Sequence, residues 1–154
     1  DWKNLSYDDF TGFVAVTAIL LFVLYFGGLW YTTYDYRIQM RDQMVEMYQQ
    51  LPNPIPPIED DYGVHQRWLV FYIDGVKVLN KPQPENVINE YKKALEKEGW
   101  ATEREYEHVR NDKNKIYGIN MRKGEFILSV SARENRDSIN IHLIKRDWIY
   151  NKGF

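Results

Sequence analysis

The histidines are the first side chains to consider for metal or acid–base chemistry. His65, His108 and His142 are the only three in the chain. They fall on different predicted elements and lack the short spacing that metal-binding histidines often show. A three-histidine site would require the fold to bring distant segments together. We interpret them as surface or hydrogen-bonded residues, and we predict no metal and no cofactor.

Carboxylates and hydroxyls are the other candidates for catalysis. Three glutamates alternate along one predicted strand, a pattern that suits acid–base catalysis but is more typical of a solvated strand face; they are Glu103, Glu105 and Glu107. The serines at 129, 131 and 138 have no evident base. No nucleophile elbow, P-loop, dinucleotide fingerprint or zincin motif occurs. The sequence therefore predicts that the chain is not an enzyme.

Composition excludes further classes of function. The chain has no cysteine, which rules out disulfides, iron–sulfur clusters, thiolate zinc sites and cysteine nucleophiles. Twenty Lys and Arg balance 22 Asp and Glu, giving a net charge of −2 and no general field for nucleic acid. Trp68, Phe71 and Tyr72 lie beside Arg67 and could stack on bases, but core packing explains them better. We predict no nucleic-acid partner.

The dominant feature is an uncharged, mostly apolar run over 10–34, bounded by Asp9 and Asp35. A bilayer core of about 30 Å needs roughly 20 helical residues, and a lipid-exposed backbone must pair with itself. The run therefore predicts a transmembrane helix, with lipid as a partner, retained as an anchor. No ionisable residue lies in its middle, which argues against a proton path or a histidine-ligated pigment within it.

Two features of this helix suggest neighbours. Gly27 and Gly28 would let another helix approach closely, or they are simply tolerated in a membrane helix. Aromatic residues at both ends form the belt typical of headgroup depth; the interface candidates are Trp2, Tyr7, Trp30, Tyr31 and Tyr34.

The predicted organisation has five parts: a polar lead (1–9), a transmembrane helix (10–35), a juxtamembrane helix (36–50), a proline-rich stalk (51–63) and a soluble domain (64–154). The methionines at 40, 44 and 47 either contact a partner or pack on the chain's own domain, because Met adapts to irregular surfaces. The apolar C-terminal tail offers three more contact candidates. The six predicted partner contacts are Met40, Met44, Met47, Trp148, Ile149 and Phe154.

The soluble domain reads as α+β. We predict a strand over 65–73, a turn at Asp74 and Gly75, and a short return strand over 76–79. A helix begins near Pro84 and stops at Gly99. Strands over 102–109, 116–122, 125–132 and 138–145 follow, and the last three form an antiparallel meander. One sheet face should pack on the helix and the other should meet water or a partner.

The proline-rich entry LPNPIPP, the helix PENVINEYKKALEKEGW and the final strand INIHLIK resemble a small α+β module of bacterial envelope proteins, tethered by a lipid or one helix. Tyr91, Leu95, Gly99 and Trp100 carry the resemblance, which covers residues 51–146. It implies a domain outside the cytoplasm and no particular activity.

Orientation rests on two conflicting arguments. Lys3 precedes the span, whereas Arg37 and Arg41 follow it, so the positive-inside rule favours a cytoplasmic C-terminal domain. The resemblance favours export. We predict a bacterial inner-membrane protein whose domain lies on the periplasmic or extracellular side.

Three functions remain open at this point. The first is a non-catalytic, single-pass accessory subunit of a larger bacterial membrane complex, with energy-converting or photosynthetic complexes as hosts and integral membrane subunits as partners. The second is an anchored envelope module that binds or senses a ligand. The third is a pilin-like or secretion subunit, against which position 5 is Leu rather than the acidic residue of pilins.

Overall fold

The computed structural model describes residues 7–67, 69–109 and 114–146, with side chains from residue 11 onward. The helices are α1 (Tyr7–Thr32), α2 (Tyr34–Gln49) and α3 (Pro84–Lys97). The strands are β1 (Glu59–Arg67), β2 (Val70–Val78), β3 (Ala101–Val109), β4 (Lys115–Lys123), β5 (Phe126–Arg133) and β6 (Ser138–Lys145). The chain divides into two compact units, Asp1–Gln39 and Met40–Phe154.

The first unit contains α1 and the start of α2. Apolar side chains of α1 are exposed along its length, for example Phe13 at 65% and Leu24 at 70%. A helix that is apolar on all sides requires an apolar surrounding. The segment Thr11–Thr32 has a mean hydropathy of 2.3 in its most apolar window and none of that window is buried within the chain. It is long and apolar enough to span a membrane, which makes it a candidate anchor.

Polar groups gather where α1 ends. The Thr33 hydroxyl donates to the Leu29 carbonyl at 2.7 Å, and Arg37 Nη2 donates to the Trp30 carbonyl at 2.9 Å. The Arg37 guanidinium also lies 3.5 Å from the centre of the Trp30 ring. A cation at a helix C-terminus satisfies its carbonyls and complements its dipole.

The second unit is built on a six-stranded sheet in the order β1-β2-β6-β5-β4-β3, and every neighbouring pair is antiparallel. Side chains alternate between its faces. On one face the central strands bury apolar side chains almost completely, including Ile119, Leu128, Val130, Ile141 and Leu143. Together with the helices this confirms the predicted α+β fold.

Helix α3 connects β2 to β3 across the buried face. Val87, Ile88, Tyr91 and Leu95 form its buried stripe. Gly99 ends the helix with φ of +84°, a conformation that costs glycine little, and the Trp100 amide donates back to the Leu95 carbonyl. The predicted helix and its stop are confirmed.

The C-terminal half of α2 belongs to the same unit through a buried charge. Lys77 on β2 is 1% exposed, and its ammonium lies 3.0 Å from Asp60 Oδ2 and donates to Asn53 Oδ1. The Tyr48 hydroxyl donates to Asp60 Oδ1 at 3.0 Å. The Asp60 carboxylate therefore joins α2 to β2, and the Lys77 ammonium adds the proline-rich segment.

The predicted turn at Asp74 and Gly75 is wrong. Both residues lie inside β2, and the single strand predicted over 65–73 is divided between β1, which ends at Arg67, and β2, which begins at Val70. Gly75 has a packing reason to be glycine, because a Cβ there would overlap the Tyr48 ring. β1 also begins at Glu59, within the predicted stalk.

The later strands agree closely with prediction. β3, β4 and β5 differ from the predicted ranges by one residue at each end or less, and β6 matches. The predicted turn at 111–114 lies outside the described residues except for Asn114. The meander includes β3 as well, so four consecutive strands pair in sequence order.

We predict that the protein loses stability in alkali because two tyrosines, Tyr48 and Tyr91, are buried. Burial raises the pKa of both phenols above the ordinary value of about 10, and nearby Asp60 adds to this. Below pH 10 both states keep the protons; above it the unfolded chain releases them and the folded chain does not. The free energy of unfolding should fall by about 1.4 kcal/mol per pH unit for each tyrosine.

Phenylalanine variants separate the two contributions. Tyr91→Phe removes a hydroxyl that has no hydrogen-bond partner in the described residues, so stability at pH 7 should be unchanged or higher. Tyr48→Phe loses the bond to Asp60 and should cost about 1 to 3 kcal/mol. Above pH 10, each variant should reduce the fall of the unfolding free energy with pH by the amount due to one proton. Denaturant unfolding of the full chain in detergent measures this slope. Unaltered slopes in both variants would refute the assignment.

Candidate functional site

The uncovered face of the sheet is the candidate site. α3 and the C-terminal half of α2 pack on the opposite face, and within the described part of the second unit no helix covers this one. Its side chains are half-buried or exposed, such as Val76 at 42%. A sheet face that remains polar and open is available for a ligand or a partner.

Five polar residues lie directly opposite one another across this face. The register pairs Asp74 with His142, His142 with Ser129, Ser129 with Asn120, and Asn120 with Arg104. We call these five residues the polar row. They come from five neighbouring strands, and at about 4.8 Å per strand the row extends about 19 Å. It has a carboxylate at one end and a guanidinium at the other.

At the acidic end, the Asp74 carboxylate lies close to two histidines. His142 Nδ1 lies 2.6 Å from Asp74 Oδ1, and His65 Nε2 lies 3.7 Å from Asp74 Oδ2. The Tyr72 ring stacks on His65 at 5.1 Å and contacts His142 at 5.6 Å. The fold thus brings together two histidines that the sequence left apart, while His108 lies elsewhere on the face. No group of three or more His, Asp or Glu in the described residues is arranged to hold a metal.

The row also places a base beside a serine. Ser129 lies opposite His142, which the sequence did not indicate, and Asp74 holds the other side of that imidazole. No hydrogen bond joins Ser129 to His142 in the described part, and the His142 and Asp74 side chains are 45% and 53% exposed. An activated serine needs its base within hydrogen-bond reach. The described contacts therefore show no activated serine, and the lack of enzymatic activity stays a prediction.

At the basic end, β3, β4 and β5 form a shallow groove of about 580 Å³. Arg104, Asn120, Ser129 and Ser131 line it with donors and acceptors, beside Tyr106, Glu107, His108 and Ile116. The Tyr106 ring lies across Gly118, where a Cβ would overlap it. A glycine covered by a cross-strand aromatic ring lets that ring lie flat on the sheet.

The acids near this groove are already paired. Glu107 lies 2.8 Å from Lys115 Nζ and raises the pKa of that ammonium through a hydrogen bond and its charge. Glu103 lies 3.2 Å from Arg122. Arg104 has no hydrogen bond or ion pair with any described residue. Its positive charge therefore dominates the groove.

The three glutamates do not share a face. The register shifts between Thr102 and Arg104, so Glu103 is the extra residue of a bulge. Glu105 points to α3, where it pairs with Lys92 and raises the pKa of that lysine. A smaller pocket of about 250 Å³ lies there between α3 and the meander; Glu85, Ile88, Asn89, Glu105, Tyr106, Glu107, Tyr117 and Gly118 line it.

The predicted membrane contacts lie on α1 and the start of α2. A Cβ at Gly27 or Gly28 would meet nothing within 4 Å beyond the helix backbone. Trp30, Tyr31 and Tyr34 are 43%, 82% and 57% exposed. Trp2 lies outside the described residues, and the side chain of Tyr7 is not described.

Of the predicted partner contacts, two methionines are covered by the chain itself. Met40 and Met44 are 6% and 0% exposed, which agrees with the alternative that they pack on their own domain, and Met47 is half-buried. Trp148, Ile149 and Phe154 lie outside the described residues. Phe71 is 4% exposed in the core, as the packing interpretation expects, whereas Tyr72 is half-buried on the uncovered face against His65 and His142. Trp68 lies outside the described residues.

The sequence did not reveal the polar row because the residues that pair across it are 9 to 68 positions apart in the chain. One signal was present: Gly118 inside an alternating strand marks a close approach, which the structure assigns to Tyr106.

Comparison with known proteins adds no further information, because no family model, curated protein or solved structure matches the chain. The resemblance to envelope modules stays a prediction.

The polar row should contribute little to stability. Ser129→Ala, Asn120→Ala and Arg104→Gln remove side chains without hydrogen bonds in the described part, so each should change the free energy of unfolding by less than about 0.5 kcal/mol. Leu128→Ala, one residue away on the buried face, should cost about 2 to 5 kcal/mol. Denaturant unfolding measures both. A Ser129→Ala cost near that of Leu128→Ala would show that the row is structural.

Proposed function

We propose that this protein is a non-catalytic, single-pass accessory subunit of a larger bacterial membrane complex. The observation that carries the proposal is the segment Thr11–Thr32, which has apolar side chains in all directions and none of its most apolar window buried in the chain. Lipid and other membrane helices are the surroundings that satisfy such a surface. The α+β domain then belongs to the part of the complex outside the bilayer.

Lateral contacts support a complex rather than a solitary anchor. Gly27 and Gly28 leave an open notch on α1, and small residues let helix backbones approach closely within lipid. Trp30 and Arg37 at the end of the apolar segment suit headgroup depth. Integral membrane subunits are the proposed partners, and energy-converting or photosynthetic complexes are the proposed hosts.

We place the domain on the periplasmic or extracellular side of a bacterial inner membrane. The support is the resemblance to envelope modules; the lack of cysteine suits a bacterial periplasm and a cytoplasm equally. The positive-inside rule opposes this by one charge, since Arg37 and Arg41 follow the span and Lys3 precedes it.

A second candidate is an anchored module that binds a ligand. The observation in its favour is the pair of grooves on the sheet, one of about 580 Å³ on the uncovered face and one of about 250 Å³ beside α3. Convergent polar groups in a concavity are typical of ligand sites. The pilin-like alternative has no such observation behind it.

Native purification tests the subunit proposal. In mild detergent the wild-type chain should co-purify with a constant set of membrane proteins. Gly28→Ile should lose them, because a β-branched side chain widens the helix where a partner approaches, while Leu24→Ile, at a residue that is 70% exposed, should retain them. Recovery of the wild-type chain as a lone monomer in several gentle detergents would overturn the proposal.

Reporter fusions test the orientation. Alkaline phosphatase fused after Phe154 should be active, since it folds only outside the cytoplasm, and a fluorescent protein that matures only in the cytoplasm should be dark. The same fusions to a chain with two added lysines before the span provide a control for charge-dependent insertion. A bright cytoplasmic reporter on the unaltered chain would reverse the assignment.

A further inference from the structure

The groove at the basic end of the polar row combines unpaired hydrogen-bonding groups with one unpaired charge. Arg104, Asn120, Ser129 and Ser131 all line it, and none has a side-chain hydrogen bond or ion pair within the part of the chain that the structure describes. Donors and acceptors that the fold does not use are free to bond to a ligand. Water can hydrogen-bond to these groups when no ligand is bound.

The charge of the groove selects an anion. Glu103 and Glu107 are paired with Arg122 and Lys115, so neither neutralises Arg104. Asp74, at the other end of the polar row, is about 19 Å away, beyond the screening length of about 8 Å at physiological salt. The planar guanidinium binds a carboxylate through two parallel hydrogen bonds.

The remaining lining selects a polar ligand with an apolar edge. The Tyr106 ring lies across Gly118 and borders the groove, and Ile116 adds an apolar side. Asn120 and Ser129 lie opposite each other on adjacent strands and present an amide and a hydroxyl side by side. Hydroxyl groups bond to such a pair, while the C–H face of a sugar ring packs on an aromatic ring.

We propose that this groove binds a carboxylate-bearing saccharide, with Arg104 on the carboxylate, Asn120 and Ser129 on ring hydroxyls, and Tyr106 against the ring. A nucleic acid fits less well, because Arg104 is the only unpaired cation lining the groove in the described residues. This inference goes beyond the subunit role and gives a ligand class to the second candidate function.

Calorimetry with a matched pair of probes tests it. Tetragalacturonate is titrated into the full chain in nanodiscs, and its fully methyl-esterified form, which keeps the hydroxyls and loses the charge, is titrated in parallel. The acid should bind at least about tenfold more tightly than the ester, the loss expected for one charge-assisted hydrogen-bonded contact. Equal binding of the two probes, or no binding of either, would overturn the proposal.

Variants locate the site. Arg104→Gln should weaken binding of the acid at least about tenfold and leave binding of the ester unchanged. Asn120→Ala should weaken binding of both probes. Arg41 is exposed on α2, which packs on the other face of the sheet, so Arg41→Gln removes the same charge away from the groove. This variant should bind both probes as the wild type does. If Arg41→Gln weakens the acid as much as Arg104→Gln, the binding is general charge attraction and the site is wrong.

The ring contact has its own control. Tyr106→Phe keeps an aromatic ring over Gly118 and should bind both probes within about twofold of the wild type, whereas Tyr106→Leu should weaken both several-fold. Circular dichroism confirms that each variant is folded. Loss of binding in Tyr106→Phe would replace the stacking role by a hydrogen bond from the hydroxyl. None of these titrations depends on whether the chain co-purifies with partners, so the two proposals fail separately.

Discussion

The second unit depends on one buried ammonium. A charge that leaves water must be paired and hydrogen-bonded, or its burial is prohibitively costly. Lys77 meets this condition because Asp60 and Asn53 bind its Nζ, while Tyr48 binds the second oxygen of the same carboxylate. These four residues come from β2, β1, α2 and the proline-rich segment between them. The pairing therefore fixes the C-terminal half of α2 on the sheet, and Gly75 makes room for the tyrosine ring.

Covering one face of the sheet determines what the other face can do. α2 and α3 cover the central strands of the apolar face, where Ile119 and Leu143 are 0% exposed. The opposite face keeps its alternating polar positions. Arg104, Asn120 and Ser129 lie opposite one another on β3, β4 and β5 and form no side-chain hydrogen bond or ion pair with described residues, so they are well placed for recognition. The acidic end is internally paired through His142, so the basic end carries the proposed ligand site.

The two units answer different physical demands. The first has an apolar surface on all sides and no charge in its middle, which suits lipid and close helix neighbours. The second buries its apolar residues in a core and presents polar groups to water. An accessory subunit requires both properties, one for placement in the membrane and one for contact outside it. A ligand site on the uncovered face is compatible with this division.

The amino-acid sequence by itself determined the local features. The apolar segment follows from the absence of charge over 10–34, α3 follows from its stripe and the stop at Gly99, and the last four strands follow from alternation. Tertiary structure decided everything that depends on strand pairing. Asp74-Gly75 has the residue types of a hairpin turn, but Gly75 lies within β2 because the tyrosine that packs on it, 27 residues earlier, needs the space. The His65, Asp74 and His142 cluster and the row ending at Arg104 arise only from register. Periodicity reports which face a residue occupies, whereas neighbours on that face come from distant segments, and a single sequence carries no signal for that pairing.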